Sequence, residues 1–199
     1  MSGQTETELV VAVSGHRELA DRESVIVALE EAISAIEQAF PRQTYRLLSP
    51  LAEGADRLAA AVVLLRPLWK LWAILPLPVE DYQRSFSSTA SRSEFDVLLK
   101  KTQKTLLLRP PVDRIEAYRK LGIYLVDHCH VLLAVWDGLP ARGPGGTAEI
   151  VGFARKRGLP LALIRLNGGL PETDGPIFER FPPQMHTPQE GPNIDGNDR

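Results

Sequence analysis

Residues 9–13, Leu-Val-Val-Ala-Val, form an unbroken apolar run halted by Ser14-Gly15, the pattern of a strand buried on both faces of a sheet. Ile26, Leu29, Ile33, Ile36 and Phe40 then recur at alternating intervals of three and four. That spacing predicts an amphipathic helix with one face on the sheet, capped at its start by Asp21 and ended by Pro41. A second strand is predicted over 45–48, followed by a loop over 49–54. Ala55, Leu58, Ala59, Val62 and Leu65 share one face of the next helix, and a third strand over 71–75 stops at Pro76 and Pro78. Between 79 and 112, Tyr82, Phe86, Phe95, Leu98 and Leu99 predict one or two helices, while 105–108 fits either a short edge strand or a loop. A helix over 113–126, a strand over 130–136, a helix from Gly146 or Thr147 to Arg157, and a strand over 159–164 complete the series. Gly158 stands where a left-handed helix cap belongs, with Arg155, Lys156 and Arg157 complementing the dipole of the last turn.

Strands alternating with amphipathic helices are the mark of βαβ units. The expected fold class is α/β: three layers around a mostly parallel sheet of five to seven strands. At 199 residues and 44% hydrophobic content the chain fits one domain, expected over 9–167, with a disordered N-terminus over 1–8. Of the 31 glycines and prolines, 11 fall between Gly168 and Arg199, where aliphatic runs also cease, so 168–199 is expected to be irregular or disordered.

Charge narrows the function classes. Lys and Arg number 23 against 25 Asp and Glu, leaving −2, so no bulk field draws the chain to nucleic acid or an anionic membrane. One cysteine, Cys129, cannot close an intrachain disulfide, which points to a reducing compartment. The opening MSGQTETE is polar and acidic, unlike a signal peptide, and no stretch approaches the roughly 18 apolar residues of a membrane span. A cytoplasmic location is expected.

In a doubly wound sheet, ligands sit beyond the carboxyl ends of the strands where strand order reverses. Three loops are expected there. Ser14-Gly15-His16-Arg17 follows the first strand, and its glycine, hydroxyl, imidazole and guanidinium are suited to phosphate oxygens. The second, residues 49–57, has Gly54 and Ala55 at a helix start and Arg57 in reach of a ligand or a nearby carboxylate; Asp56 reads as ordinary dipole compensation. In the third, Asp137-Gly138 leaves a strand, and Gly143-Pro144-Gly145-Gly146-Thr147-Ala148-Glu149 opens a helix. Paired glycines, helix-start amides and the Thr147 hydroxyl make an anion cradle there. Glu149 either complements the helix dipole, or binds a ribose hydroxyl or serves as a general base; Asp137 carries the same alternatives.

Asp127-His128-Cys129-His130 has metal-ligating residue types, but neighbouring residues point in different directions and no second CxxC or HxxxH accompanies them. No metal site or cofactor is expected. Trp69, Trp72 and Trp136 read as core, and Tyr82 as packing or, less simply, a stacking surface for a base. Gly-x-Ser-x-Gly, Gly-x-x-x-x-Gly-Lys-Ser/Thr and Gly-x-Gly-x-x-Gly are absent from the sequence, which removes the best-marked hydrolase, NTPase and dehydrogenase readings.

Across residues 10–164 the chain resembles the SLOG superfamily, the Rossmann-like group containing LOG-type phosphoribohydrolases and a domain of the DNA-processing protein DprA. Residues 49–56, Ser-Pro-Leu-Ala-Glu-Gly-Ala-Asp, are similar to the DprA-type Ser-Gly-x-Ala-x-Gly-Ile-Asp segment, and 11–17 to the strand and Gly-His-Arg loop that opens many members. Pro144-Gly145-Gly146-Thr147 resembles the LOG signature Pro-Gly-Gly-x-Gly-Thr-x-x-Glu, without its x-Gly step and with Ile150 at the glutamate position. Glu149 lies one residue early, a rotation of about 100° on a helix. The resemblance implies a Rossmann-like domain binding a nucleotide or nucleotide-derived ligand of the AMP or ADP-ribose kind, as a sensor module. In it Ser14, Gly15, Gly145, Gly146 and Thr147 hold phosphate, Arg17 supplies charge, and Asp137 or Glu149 reads a ribose hydroxyl. The alternative is a phosphoribohydrolase cleaving the N-glycosidic bond of a nucleoside 5′-monophosphate, with Glu149 catalytic. Single-stranded DNA binding, which needs a basic groove with aromatics, fits the scattered charges least. The expected partner is a nucleotide-like small molecule, and a homodimer is among the assemblies allowed.

Overall fold

The computed structural model describes residues 8–108, 113–140 and 145–182. Residues 1–7, 109–112, 141–144 and 183–199 lie outside them, and with them fall Gly143, Pro144, most of the expected N-terminal segment and the end of the expected tail. Six parallel strands run in the order β4-β3-β2-β1-β5-β6: β1 (Glu8–Gly15), β2 (Thr44–Ser49), β3 (Trp69–Leu75), β4 (Lys104–Leu107), β5 (Val131–Trp136) and β6 (Leu161–Asn167). The helices between them are α1 (Arg22–Ala39), α2 (Ala55–Leu64), α3 (Val79–Gln83), α4 (Thr89–Lys100), α5 (Arg114–Asp127) and α6 (Thr147–Arg157). This is the expected three-layer, Rossmann-like α/β architecture.

Alternation along the strands divides the core between two faces. Leu9, Val11 and Val13 of β1 join the cluster containing Leu29 and Ile33 of α1, Leu58 and Val62 of α2 and Phe95 of α4. Val10 and Ala12 face the other way, into a cluster with Leu121 and Leu125 of α5 and Ile150 and Val151 of α6. A strand buried on both faces has no polar positions to spare, which is why β1 and β5 read as continuous apolar runs.

Local signals account for the helix ends. Asp21 Oδ1 accepts from the Glu23 and Ser24 amides at 2.9 and 3.3 Å, and Gly158 closes α6 with φ 70° and ψ 24°. Residues 79–112 contain two helices, and the segment left as strand or loop is the edge strand β4, held parallel to β3. Part of the tail expected to be irregular is ordered: β7 (Leu170–Pro171) and β8 (Ile177–Glu179) turn back and pair antiparallel with β6. The exposed edge of β6 supplies unpaired backbone groups that sequence periodicity does not reveal. Among the described residues no helix is long and apolar enough to cross a membrane.

Strand order reverses at β1, which pairs with β2 on one side and β5 on the other. The helices after β1 and β5 lie on opposite faces of the sheet, leaving a gap beyond the carboxyl ends of these two strands.

Candidate functional site

That gap is a crevice of about 550 Å³, within the size range of small-molecule sites. Ser14, Gly15, His16 and Arg17 line it from the loop after β1, and Asp137, Gly145, Gly146 and Thr147 from the loop after β5 and the start of α6. These eight expected ligand residues are therefore brought together. Gly54, Arg57 and Glu149 are not part of its lining.

The β1 loop is fixed by backbone. The His16 amide donates to the Val135 carbonyl and the Ala55 amide to the His16 carbonyl, both at 3.1 Å. A Cβ on Gly15 would collide with Ala55 Cβ and approach Val135 Cβ to 2.9 Å; glycine is required there by the protein's own packing. Gly54, with φ 81°, leaves room for the carbonyls of His16 and Arg17. The space a side chain would take at Gly54 is occupied by the neighbouring loop.

Arg57 is 1% exposed. Its Nε donates to the Leu51 carbonyl at 3.0 Å, and its Nη1 to the Ser91 carbonyl, the Ser91 hydroxyl and Glu94 Oε2 at 2.8, 2.8 and 2.9 Å. The guanidinium lies over the Phe86 ring, 4.5 Å from its centroid. These contacts engage Nε and Nη1 within the wall and leave Nη2 buried without a partner among the described residues, and the local carboxylate Arg57 meets is Glu94 on α4. Glu53 adds to the same brace, accepting from the Ser87 amide and hydroxyl at 2.8 and 2.7 Å. These serine hydrogen bonds, with the Arg57 charge, overcome partial burial and hold Glu53 below the usual carboxylate range.

Opposite, the wall is more open. Ser14 Oγ lies 3.4 Å from Thr147 Oγ1, so hydroxyls from both loops meet. Gly146 is the N-cap of α6 and among the described residues no side chain caps that helix, leaving its first amides at the crevice. The positive φ belongs to Gly145, at 75°, whereas Gly146 is extended at φ −74°, ψ 161°. A Cβ on Gly145 would approach Tyr118 Cβ to 2.7 Å. Glu149 turns back on this glycine: Oε2 accepts from the Gly145 amide at 2.6 Å and Oε1 faces Arg119 Nε at 3.3 Å. Of the alternatives open for Glu149, local capping is the one its geometry matches.

His16 and Asp137 meet across the mouth. His16 Nε2 stands 3.1 Å from the Asp137 amide nitrogen and 3.2 Å from Asp137 Oδ1. It accepts from the first when neutral at that nitrogen and donates to the second when protonated there, so the imidazole has two ways to hold the loop. Arg17 Nη1 reaches the Ser85 carbonyl at 3.4 Å, a long contact that leaves its charge available to the crevice.

Two residues here escaped sequence reasoning. Tyr118, on the half-buried face of α5, joins Leu121 and Trp136 in an aromatic and apolar wall; a hydrophobic-to-polar boundary on α5 was its only signal. Asp56 is 3% exposed in the crevice wall, with Oδ1 lacking a hydrogen-bond partner among the described residues. Burial drives its carboxyl up to about 8, against the pull of Arg17, Arg57 and the Ala52 and Gly15 amides. Tyr82 is fully buried, 5.0 Å from Phe86 and 5.8 Å from Phe95 between ring centroids, so it has no free face for a base. The three residues weighed as metal ligands diverge: Cys129 is buried, His128 stacks on Tyr124, and His130 Nδ1 accepts from the Val10 amide at 2.9 Å.

No protein-family model and no curated protein matches the chain. Among solved structures, the X-ray structure of TM1055, a Northeast Structural Genomics Consortium target, is 13% identical with a TM-score of 0.48, covering 77% of this chain and 72% of its own. The molybdenum cofactor carrier protein MCP from Chlamydomonas reinhardtii is 18% identical with a TM-score of 0.45, covering 78% and 76%. At such distances the chain's own strand order defines its fold, and its own side chains define the crevice.

Proposed function

We propose that the crevice binds a nucleotide or nucleotide-derived ligand of the AMP or ADP-ribose kind, and that the domain works as a binding module of the SLOG type. The observation that carries this reading is the meeting of the Ser14–Arg17 loop with the uncapped start of α6, Ser14 Oγ 3.4 Å from Thr147 Oγ1. Phosphate oxygens are satisfied by such a set: helix-start amides with their dipole, two hydroxyls and the Arg17 charge. The wall of Tyr118, Leu121 and Trp136 suits a base, and Asp137 a ribose hydroxyl. Glu149 is engaged with Gly145 and Arg119, so nothing favours its use as a general base over binding alone.

Thermal unfolding with AMP, ADP and ADP-ribose tests the proposal. A ligand held only by the folded crevice adds about 2.7 kcal/mol at a hundred times its dissociation constant, an upward shift that Arg17→Ala should shrink. A folded protein whose melting point ignores the whole panel would sink the reading.

A further inference from the structure

On the binding reading above, we propose that Asp56 is a ligand-recognition residue, its carboxyl donating a hydrogen bond to an oxygen of the bound phosphate at the floor of the crevice. Three observations converge. Asp56 lies in the crevice wall beside the Ser14–Arg17 loop. It is 3% exposed, its carboxyl is held by the Ala52 and Gly15 amides, and Oδ1 has no hydrogen-bond partner among the described residues. Buried polar atoms are nearly always paired, so one carboxyl oxygen left over in a residue that lines the cavity leaves a bond for a bound group to complete.

The chemistry also selects the form of the group. An ionised carboxyl here would repel a phosphate drawn in by Arg17 and α6, whereas a neutral one offers the O–H that a phosphate oxygen accepts. Burial favours the neutral form, with the carboxyl pushed up to about 8. The charged and titratable groups around it are Arg17 from the β1 loop, Arg57 on α2 and Tyr82 on α3. Tyr118 on α5 stands behind Tyr82, and the His16–Asp137 pair spans the mouth. Tyr82 is pushed up by burial and by Asp56 itself.

Calorimetric titration of the intact protein with AMP and with ADP-ribose tests this. For wild type, affinity should fall about tenfold between pH 7 and pH 9, as a carboxyl of pKa near 8 gives up the proton that the complex needs. Titration at pH 8 in two buffers of different ionisation enthalpy should show net proton uptake on binding. Asp56→Asn keeps a donor of the same shape, so it should bind within about threefold of wild type at pH 7 and lose the pH dependence. A pH dependence that originates elsewhere in the crevice would survive this substitution. Asp56→Ala should weaken binding at least about tenfold. A pH-independent wild-type affinity without proton uptake overturns the inference while leaving the binding reading intact, and it needs no variant to fold. Equal loss in Asp56→Asn and Asp56→Ala also overturns it, since an ionised carboxylate would then be the acting form. Absence of binding by folded wild type to either nucleotide removes the binding reading and this inference together.

Discussion

Gly54 and Gly146 each stand immediately before a helix that starts at the crevice, yet the helix starts they introduce are put to opposite uses. At α2 the first amide, Ala55, is already given to the His16 carbonyl, and Leu51, Ala55, Asp56 and Arg57 are all buried. At α6, Gly146, Thr147 and Ala148 are half-buried, and among the described residues no side chain caps the helix. A glycine before a helix thus announces a close approach without saying by what. Beside α2 the approaching group is the protein's own backbone; beside α6, Gly146, Thr147 and Ala148 line the crevice. The α2 wall is a rigid brace contributing one group, Asp56, whereas the α6 wall contributes several amides and a hydroxyl.

The contrast breaks most decisively at Arg57. If the α2 wall is a brace, Arg57→Ala should destabilise the fold by about 3 kcal/mol, because it strands the Leu51 carbonyl and the Glu94 carboxylate and empties a packed volume over Phe86. Glu94 is partly exposed and regains some water, which keeps the figure at the low end for a broken buried pair. The urea midpoint reads the effect. A variant with unchanged midpoint and lost nucleotide binding would return Arg57 to the ligand site.

Asp56 should move stability in the other direction. Its folded pKa is raised to about 8 from 3.8, so its contribution is fully present below about pH 4, declines as pH rises, and levels off above pH 8. The slope across that window is at most about 1.4 kcal/mol per pH unit. Asp56→Asn removes the titrating group and should stabilise the protein at pH 8 by roughly 1–3 kcal/mol. Glu53 and Glu94 have lowered values and pull oppositely, losing stability as pH falls through the acid range. Denaturation at pH 5, 7 and 8.5 separates the two: wild type and variant should diverge toward alkaline pH, and parallel curves would place Asp56 in water.

The doubly wound order was legible because each parallel strand is an apolar run and each crossover has a three-four stripe, both local features. The crevice loops were legible for the same reason, since the topology sends every loop after a strand to one end of the sheet. What escaped depends on partners distant in sequence. Nothing near Arg57 reveals Glu94, 37 positions on, and a helix-start aspartate like Asp56 has the same local appearance whether it faces water or a core. β7 and β8 are two and three residues long and owe their pairing to the edge of β6, so their own composition reads as loop.

On the α6 wall, Gly146→Val sharpens the comparison. Its φ of −74° and ψ of 161° are open to a β-branched residue, so stability should stay within about 0.5 kcal/mol. Nucleotide affinity should fall about tenfold or more, near 1.4 kcal/mol, as the side chain shields the α6 amides. Calorimetry alongside a urea titration reads both. Unaltered affinity in the folded variant would reduce the α6 start to a turn.

The smallest effect is expected at Glu149, where the hydrolase alternative is also decided. Glu149→Gln replaces a charged acceptor by a neutral one in the bond from the Gly145 amide and removes the Arg119 pairing. The Arg119 side is half-exposed and screened, so the loss should be no more than about 1 kcal/mol in stability. Affinity should drop only two- to threefold, through looser positioning of Gly145. Free base released from AMP, GMP or CMP, followed by chromatography over hours, should stay at background in wild type as in the variant. Robust release by wild type that Glu149→Gln abolishes would require Glu149 to leave Gly145 and reach the sugar, making the α6 wall catalytic.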